Sequence, residues 1–445
     1  MMPIVMRSCQ TAILCLILVL FAPLSAHATE VREVRSPGGI TAWLVREPTI
    51  PLISIKFSFV GGGSLDQSGR KGTANLLSGL LDEGAGPYNS LAFQTRMQDL
   101  AVRMSFNADR DSFSGSLQTL STNRDAAFEL LRLALNEPHF EVEAVERVRR
   151  QIITGLIEGQ EDPGTIAAKL WFATAFPDHP YGLPGNGSIA SVKAISVDDL
   201  RILLGKAMAR DRLTIGVVGD ISAAELGPLL DKTFGALPAS VAIAPVPETM
   251  PVGAGGVKVV RKPIPQSQVM FGGPGLKRAD PDWYAAYVLN YVLGGGGFAS
   301  RLTEEVREKR GLAYSVYSYL YPLDHAAIHM GGVGTQNDRV GEAITVIKEQ
   351  FALAGKNGIT EEELANAKTY LNGSFPLRLT SSGRIAGLLL AIQRQNLGID
   401  YLDRRSGLIN AVTMADIRRV AKRLLRPENL LIVVVGQPVG LTSSE

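Results

Sequence analysis

Arg307 and Tyr314 are the residues whose types and spacing best suit chemistry. They lie seven apart, across a stretch that reads as a helix from Ser300 to Lys309, a stop at Gly311 and a strand over Leu312 to Tyr317. A helix–glycine–strand junction can aim a guanidinium and a phenol at one point. Arginine brings a planar, permanently charged donor fork for a carbonyl or carboxylate. Tyrosine brings a neutral hydroxyl donor for a developing oxyanion. The plain alternative is an arginine on a solvated helix face and a tyrosine in a sheet, and spacing alone does not choose between them. Upstream, Gly294 to Gly297 follow the helix-like Tyr287 to Leu293, whereas nucleotide-binding loops follow a strand. Backbone without Cβ atoms there allows close approach by another chain.

Other chemistries find less support. The chain has five histidines, at 27, 139, 179, 325 and 329. His325 and His329 share a face of a strand-like segment. No carboxylate helix completes a metal set beside them, so a surface or turn pair is expected. His179 sits in the turn Asp178 to Gly182, and His139 precedes a helix start. No Gly-x-Ser-x-Gly elbow follows a strand, and no Walker-type loop is present. A Ser-His-Asp triad is not excluded by composition. Both cysteines, Cys9 and Cys15, lie upstream of Ala28.

The segment 1–28 reads as a secretory signal. Arg7 is the only charge before Glu30, Thr11 to Ala22 is apolar, and Ala26-His27-Ala28 offers small residues for a peptidase. Cleavage after about Ala28 leaves a mature chain without thiols, which excludes cysteine nucleophiles and cysteine-held metals. The apolar run is short for a bilayer span, and no later run reaches about 18 residues. The expectation is a periplasmic protein with no membrane span after cleavage, with a retained N-terminal anchor as the alternative. Of 445 residues, 20% are charged and 46% hydrophobic, and the net charge is +2. Collagen-like, coiled-coil and largely disordered classes are thereby excluded, and no basic excess points to nucleic acid.

The elements that must position the pair are duplicated. Leu213 to Asp220 resembles Leu430 to Gln437, and Ser196 to Arg201 resembles Thr413 to Arg418, with the same offset between the members of each pair. In each copy a hydroxyl residue and an acidic residue three positions on form a capping-box-like start, and the helix leads to an apolar strand ending at glycine. Pro238, Pro245, Pro247, Pro251 and Pro263 stiffen the segment between the copies. The predicted organisation is a signal over 1–28, a first domain over 29–237, a linker over 238–262, a second domain over 263–438 and a tail over 439–445. Leu52 to Val60, Met104 to Ala108 and Tyr317 to Tyr321 alternate as strands, while Phe128 to Leu135 and Ile344 to Ala354 have helical spacing. Strand, helices, strands and helices in each copy give an α+β sandwich.

Taken together, the duplicated halves, the glycine-rich turn, Arg307 to Tyr314, Glu161-Asp162-Pro163 and His179-Pro180-Tyr181-Gly182 resemble the M16, or pitrilysin-like, zinc metallopeptidases. This family includes mitochondrial processing peptidase and small bacterial periplasmic members, and the resemblance covers about 35 to 438. It implies two homologous α/β sandwich halves of the metallohydrolase type enclosing a cavity as a clam-shell dimer. Active members carry His-x-x-Glu-His on the first long helix, and the matching positions here are Asn75, Ser78 and Gly79. The third zinc ligand of the family falls on Gly155, or on the flanking Glu146 or Glu158 if the alignment slips. The resemblance therefore implies a chain that binds no zinc itself. The same comparison makes Arg307 and Tyr314 the catalytic pair that completes a site from across the cavity. Together with Gly295 and Gly296 they are expected to contact substrate, while the zinc sits in a partner M16 subunit of a heterodimer or larger assembly acting on peptides. An inert scaffold on the same fold is the second expectation, and a self-contained enzyme or ligand-binding protein with another site is the third.

Overall fold

The computed structural model describes residues 30–444. The expected signal segment lies outside the described residues. The first sheet holds β1 (Arg32–Arg35), β2 (Thr41–Arg46), β3 (Leu52–Val60), β4 (Arg103–Ala108), β5 (Ser112–Leu120) and β6 (Leu213–Gly219), in the order β1-β2-β6-β3-β5-β4. The second holds β7 (Val257–Arg261), β8 (Gln266–Pro274), β9 (Ala313–Pro322), β10 (Ala327–Gln336) and β11 (Leu431–Gly436), in the order β7-β11-β8-β10-β9. Each sheet is antiparallel except for one pair, β2 with β6 and β7 with β11. In both, the last strand of the copy slots into the middle, so no copy closes until its whole sequence is present.

The repeat seen in sequence is the repeat of the fold. Ser196 and Thr413 cap helices Val197–Ala207 and Met414–Leu424 through reciprocal bonds with Asp199 and Asp416. Both helices lead into the buried central strands β6 and β11. One face of each sheet is covered by helices of its own copy, giving two separate cores. Phe57, Phe113, Phe128 and Phe234 lie in the first, and Phe271, Leu289, Ile347 and Phe351 in the second.

The opposite faces are covered by exchange. Helix Pro163–Ala175, from the first copy, packs on β8 and β11 of the second sheet. Its Trp171 is fully buried and donates Nε1–H to the Leu431 carbonyl at 3.1 Å. Gly272 makes room for it: a Cβ there would sit 2.8 Å from the indole. In return, helix Ser382–Arg394 packs on β6 and β3 of the first sheet. There Gly216 provides the gap, since a Cβ would lie 2.7 Å from the Ala386 carbonyl oxygen.

Two boundaries differ from the sequence reading. The stretch expected as linker ends in a strand, because Val257–Arg261 pairs in parallel with β11. Its apolar alternation is short and follows a proline- and glycine-rich run, which hid it. The expected tail also adds to this edge, as Ser443 and Ser444 hydrogen-bond the β7 backbone. No helix of the described residues is long and apolar enough to cross a membrane.

Candidate functional site

The junction brings Arg307 and Tyr314 side by side, with two irregularities that aim it. Residues Thr303–Glu308 form a wide, π-type turn, a form that recurs at functional positions. Gly311 ends the helix with φ +58, and β9 begins two residues later. At that point the ladder slips: Ala313 pairs with Thr335 and Ser315 with Gly334, leaving Tyr314 as the extra residue of a β-bulge. A bulge re-aims the side chain it inserts. Tyr314 is accordingly 82% exposed, with the Arg307 guanidinium 5.0 Å from its ring centre. The ring of Phe298 also lies against Arg307, at 4.8 Å and itself 74% exposed. Glu308 pairs with Arg307 Nε at 3.2 Å.

Phe298 was missed by the sequence reading. An aromatic residue directly after a glycine run was the only available signal. The glycine run itself is mostly about packing. A Cβ on Gly294 would strike Ser318, and those on Gly295 and Gly296 would crowd the preceding Asn290 and Tyr291 at 2.7 Å and 2.8 Å. Gly295 is nonetheless exposed, and the run delivers Phe298 to Arg307.

The positions that the resemblance aligns with the family's zinc ligands are unlike one another. Asn75 lines an open cleft of about 710 Å³, together with Gly155 and Gly159 of helix Val142–Glu161. Ser78 is buried and donates to the Asn75 carbonyl at 2.8 Å. Gly79 caps the short helix Thr73–Ser78, and a Cβ there would sit 2.8 Å from Val148. A side chain at 79 would therefore force Val148 of the neighbouring helix to shift. Glu146 pairs with Arg149, and Glu158 is exposed to solvent. An amide, a hydroxyl and two glycines offer no zinc donor set. The residues present do not fit the metal.

Gly155 is a helix-interior glycine whose added Cβ would meet nothing within 4 Å. Backbone freedom makes such a residue cost roughly 0.5–1 kcal/mol against alanine. Gly155→Ala is expected to raise the unfolding free energy by about that amount in urea titration. A loss of stability would show that the position is more crowded than its geometry indicates.

The histidine pair separates. His325 caps the turn before β10 and faces Glu248 at 3.2 Å. His329 is not at the surface: it is fully buried against Phe351, because β10 is covered on that face by helix Val340–Asn357. The donor of its Nε2–H bond to Asn290 Oδ1 (2.8 Å) is the imidazole, and Nδ1 has no partner. Burial pushes its pKa down to about 4. Unfolded histidine takes a proton near pH 6.5, so between 6.5 and 4 the unfolded chain binds more protons. The stability from this residue is full above about pH 6.5 and falls by about 3 kcal/mol as pH drops to 4. His329→Gln should flatten that decline in unfolding measured from pH 7 to 4.5. An unchanged slope would rule out the buried neutral ring as its source.

Between Tyr314 and Asn75 runs β9. Tyr317 and Tyr319 stack along it with ring centres 6.1 Å apart, and Tyr321 continues the row into the wall of the Asn75 cleft. Seven residues of strand span roughly 20 Å at about 3.3 Å each. Within one chain the Arg307–Tyr314 pair and the Asn75 cleft therefore lie toward opposite ends of β9.

Residues 194–371 match the family described as "Peptidase M16 inactive domain". A Helicobacter pylori protein described as a non-peptidase homolog is 28% identical over 82% of this chain and 84% of its own length. A Streptomyces coelicolor protein described as an uncharacterized zinc protease is 29% identical over 91% of this chain and 89% of its own. Among solved structures, a Pseudomonas fluorescens peptidase M16 inactive domain superposes with a TM-score of 0.86 at 28% identity, covering 93% of this chain and 99% of its own. The fold is thus shared with an M16 inactive domain over nearly the whole described chain, and the chain is similar to M16 peptidase-family proteins.

Proposed function

We propose that this chain is the non-zinc subunit of a periplasmic M16 peptidase. It pairs with a zinc-bearing M16 chain, as a heterodimer or larger assembly that closes as a clam-shell. Arg307 holds the peptide carbonyl, Tyr314 donates to the oxyanion, and the Gly295 and Gly296 backbone lies against the substrate. A zinc ion held by the partner chain would supply an activated water.

The observation that carries this reading is an exposed, preorganised donor pair with no visible structural duty. Tyr314 is the bulge residue and packs into no core, while the guanidinium is held by two exposed rings and an acidic neighbour. The distance along β9 argues that the pair serves a centre on another chain. The periplasmic location rests on the signal-like segment 1–28.

A second reading, an inert scaffold, draws on the loss of every zinc donor and on the Helicobacter pylori relative's description as a non-peptidase homolog. The test is reconstitution. The purified mature chain, mixed with a zinc-bearing M16 chain, should hydrolyse a fluorogenic peptide that neither cleaves alone. A complex that forms without gaining activity would favour the scaffold.

A further inference from the structure

The cleft that no longer fits zinc is still built as a receptor. Its floor is helix Val142–Glu161, where Gly155 and Gly159 sit one turn apart on the cleft side. Its walls are helix Pro163–Ala175, the end of β4, the loop Gly182 to Asn186 and Tyr321. At about 710 Å³ it falls within the roughly 300–1,000 Å³ of sites that hold small organic ligands. A collapsed vestige would have filled with side chains, yet Cβ atoms on Gly155 or Gly185 would meet nothing within 4 Å.

The charges lining this space are unequal. The Arg110 guanidinium lies over the Phe172 ring, 3.9 Å from its centre, and its Nε is buried without a hydrogen-bond partner. Lys169 is three residues before Phe172 on the same helix face, so both cations converge on one region. Among the described residues neither forms an ion pair with a carboxylate. Asp109, the one carboxylate in the lining, is engaged by Asn107 and Ser112 at 3.3 Å and 3.2 Å. A guanidinium stacked on a ring and not paired with a carboxylate is the donor fork that matches one.

We infer that this cleft binds the free carboxylate terminus of a short peptide. Arg110 and Lys169 hold the carboxylate, and Phe172 and Tyr321 flank the chain behind it. Backbone groups of Gly182 to Asn186 offer polar contacts along its length. This goes beyond the proposed subunit role, because it needs neither a partner chain nor Arg307 and Tyr314.

The test uses the mature chain alone. Equilibrium dialysis against a pool of N-acetylated random tetrapeptides, prepared as free acids and as C-terminal amides, is read by mass spectrometry. Free acids should be retained at least about 10-fold over amides, the scale of one charge-assisted contact. Lys169→Gln and Arg110→Gln should each abolish most of that preference. Gly155→Leu, at a position with open space and in a residue type that favours helix, should block retention while keeping the fold. Arg307→Ala should leave retention unchanged, which separates this site from the proposed catalytic pair. Equal retention of acids and amides, no retention of either, or retention unaffected by Gly155→Leu would each overturn the inference. Displacement of the acids by equimolar inorganic phosphate would overturn it too, by showing an unselective anion site.

Discussion

Replacing Tyr314 by phenylalanine is expected to lower peptide turnover by the reconstituted pair of chains by about 10- to 1000-fold, the scale of losing one oxyanion donor. The geometry makes this substitution unusually clean. The ring stays beneath the Arg307 guanidinium, so the stacking at 5.0 Å survives and only the hydroxyl is lost. The exposure of Tyr314 means that folding should not change, and pairing is checked by size-exclusion chromatography. Arg307→Ala should raise KM and lower kcat together, because a guanidinium holds the ground-state carbonyl as well as the transition state. Arg307→Lys should rescue poorly, since an ammonium lacks the planar fork and stacks less well against Phe298 and Tyr314. Arg310→Ala is the control. That residue is tied to Glu305 at 2.6 Å, away from the pair, and its loss should leave turnover near that of the unaltered chain. Full activity of the Tyr314→Phe mixture, with the complex intact, would make the pair structural and promote the scaffold reading.

Sequence carried the architecture well where patterns are local. Leu52–Val60 is a strand with the bounds its alternation predicts, and the Ser196 and Thr413 caps start the helices they were expected to start. The constant offset between the copies was legible because both copies end in the same apolar central strand. What escaped was set by tertiary contact. The strand Val257–Arg261 gains its identity only from β11, which lies far away in sequence. His329 is buried only because helix Val340–Asn357 arrives to cover β10. The bulge at Tyr314 was equally invisible: it is a mismatch between two strands, and one strand's sequence cannot show it. Phe298 belongs to the same class, since its role depends on where the glycine run folds back.

The exchanged helices set the second large expectation. Trp171→Ala should destabilise the chain by about 3–5 kcal/mol, the usual cost of deleting a buried aromatic side chain. That is a large share of the roughly 5–15 kcal/mol by which a domain is folded. The loss should also be of a particular kind. Trp171 belongs to the first copy but is buried in the second, against Gly272 and the Leu431 carbonyl, so its removal weakens the joint between the copies more than either core. Each copy has its own core and sheet, and helix Ser382–Arg394 is then left as the main remaining clasp. The expected result is a single coincident urea transition in the unaltered chain that splits in the variant. The chain has only three tryptophans, and the other two, Trp43 and Trp283, lie one in each copy. Adding Trp283→Phe or Trp43→Phe to Trp171→Ala therefore leaves a fluorescent reporter of one half at a time. Midpoints that differ between the two reporters would identify the exchange as what makes the halves unfold together. Coincident midpoints with a loss below about 1 kcal/mol would show that the joint is held elsewhere, with helix Ser382–Arg394 on Gly216 as the next place to cut.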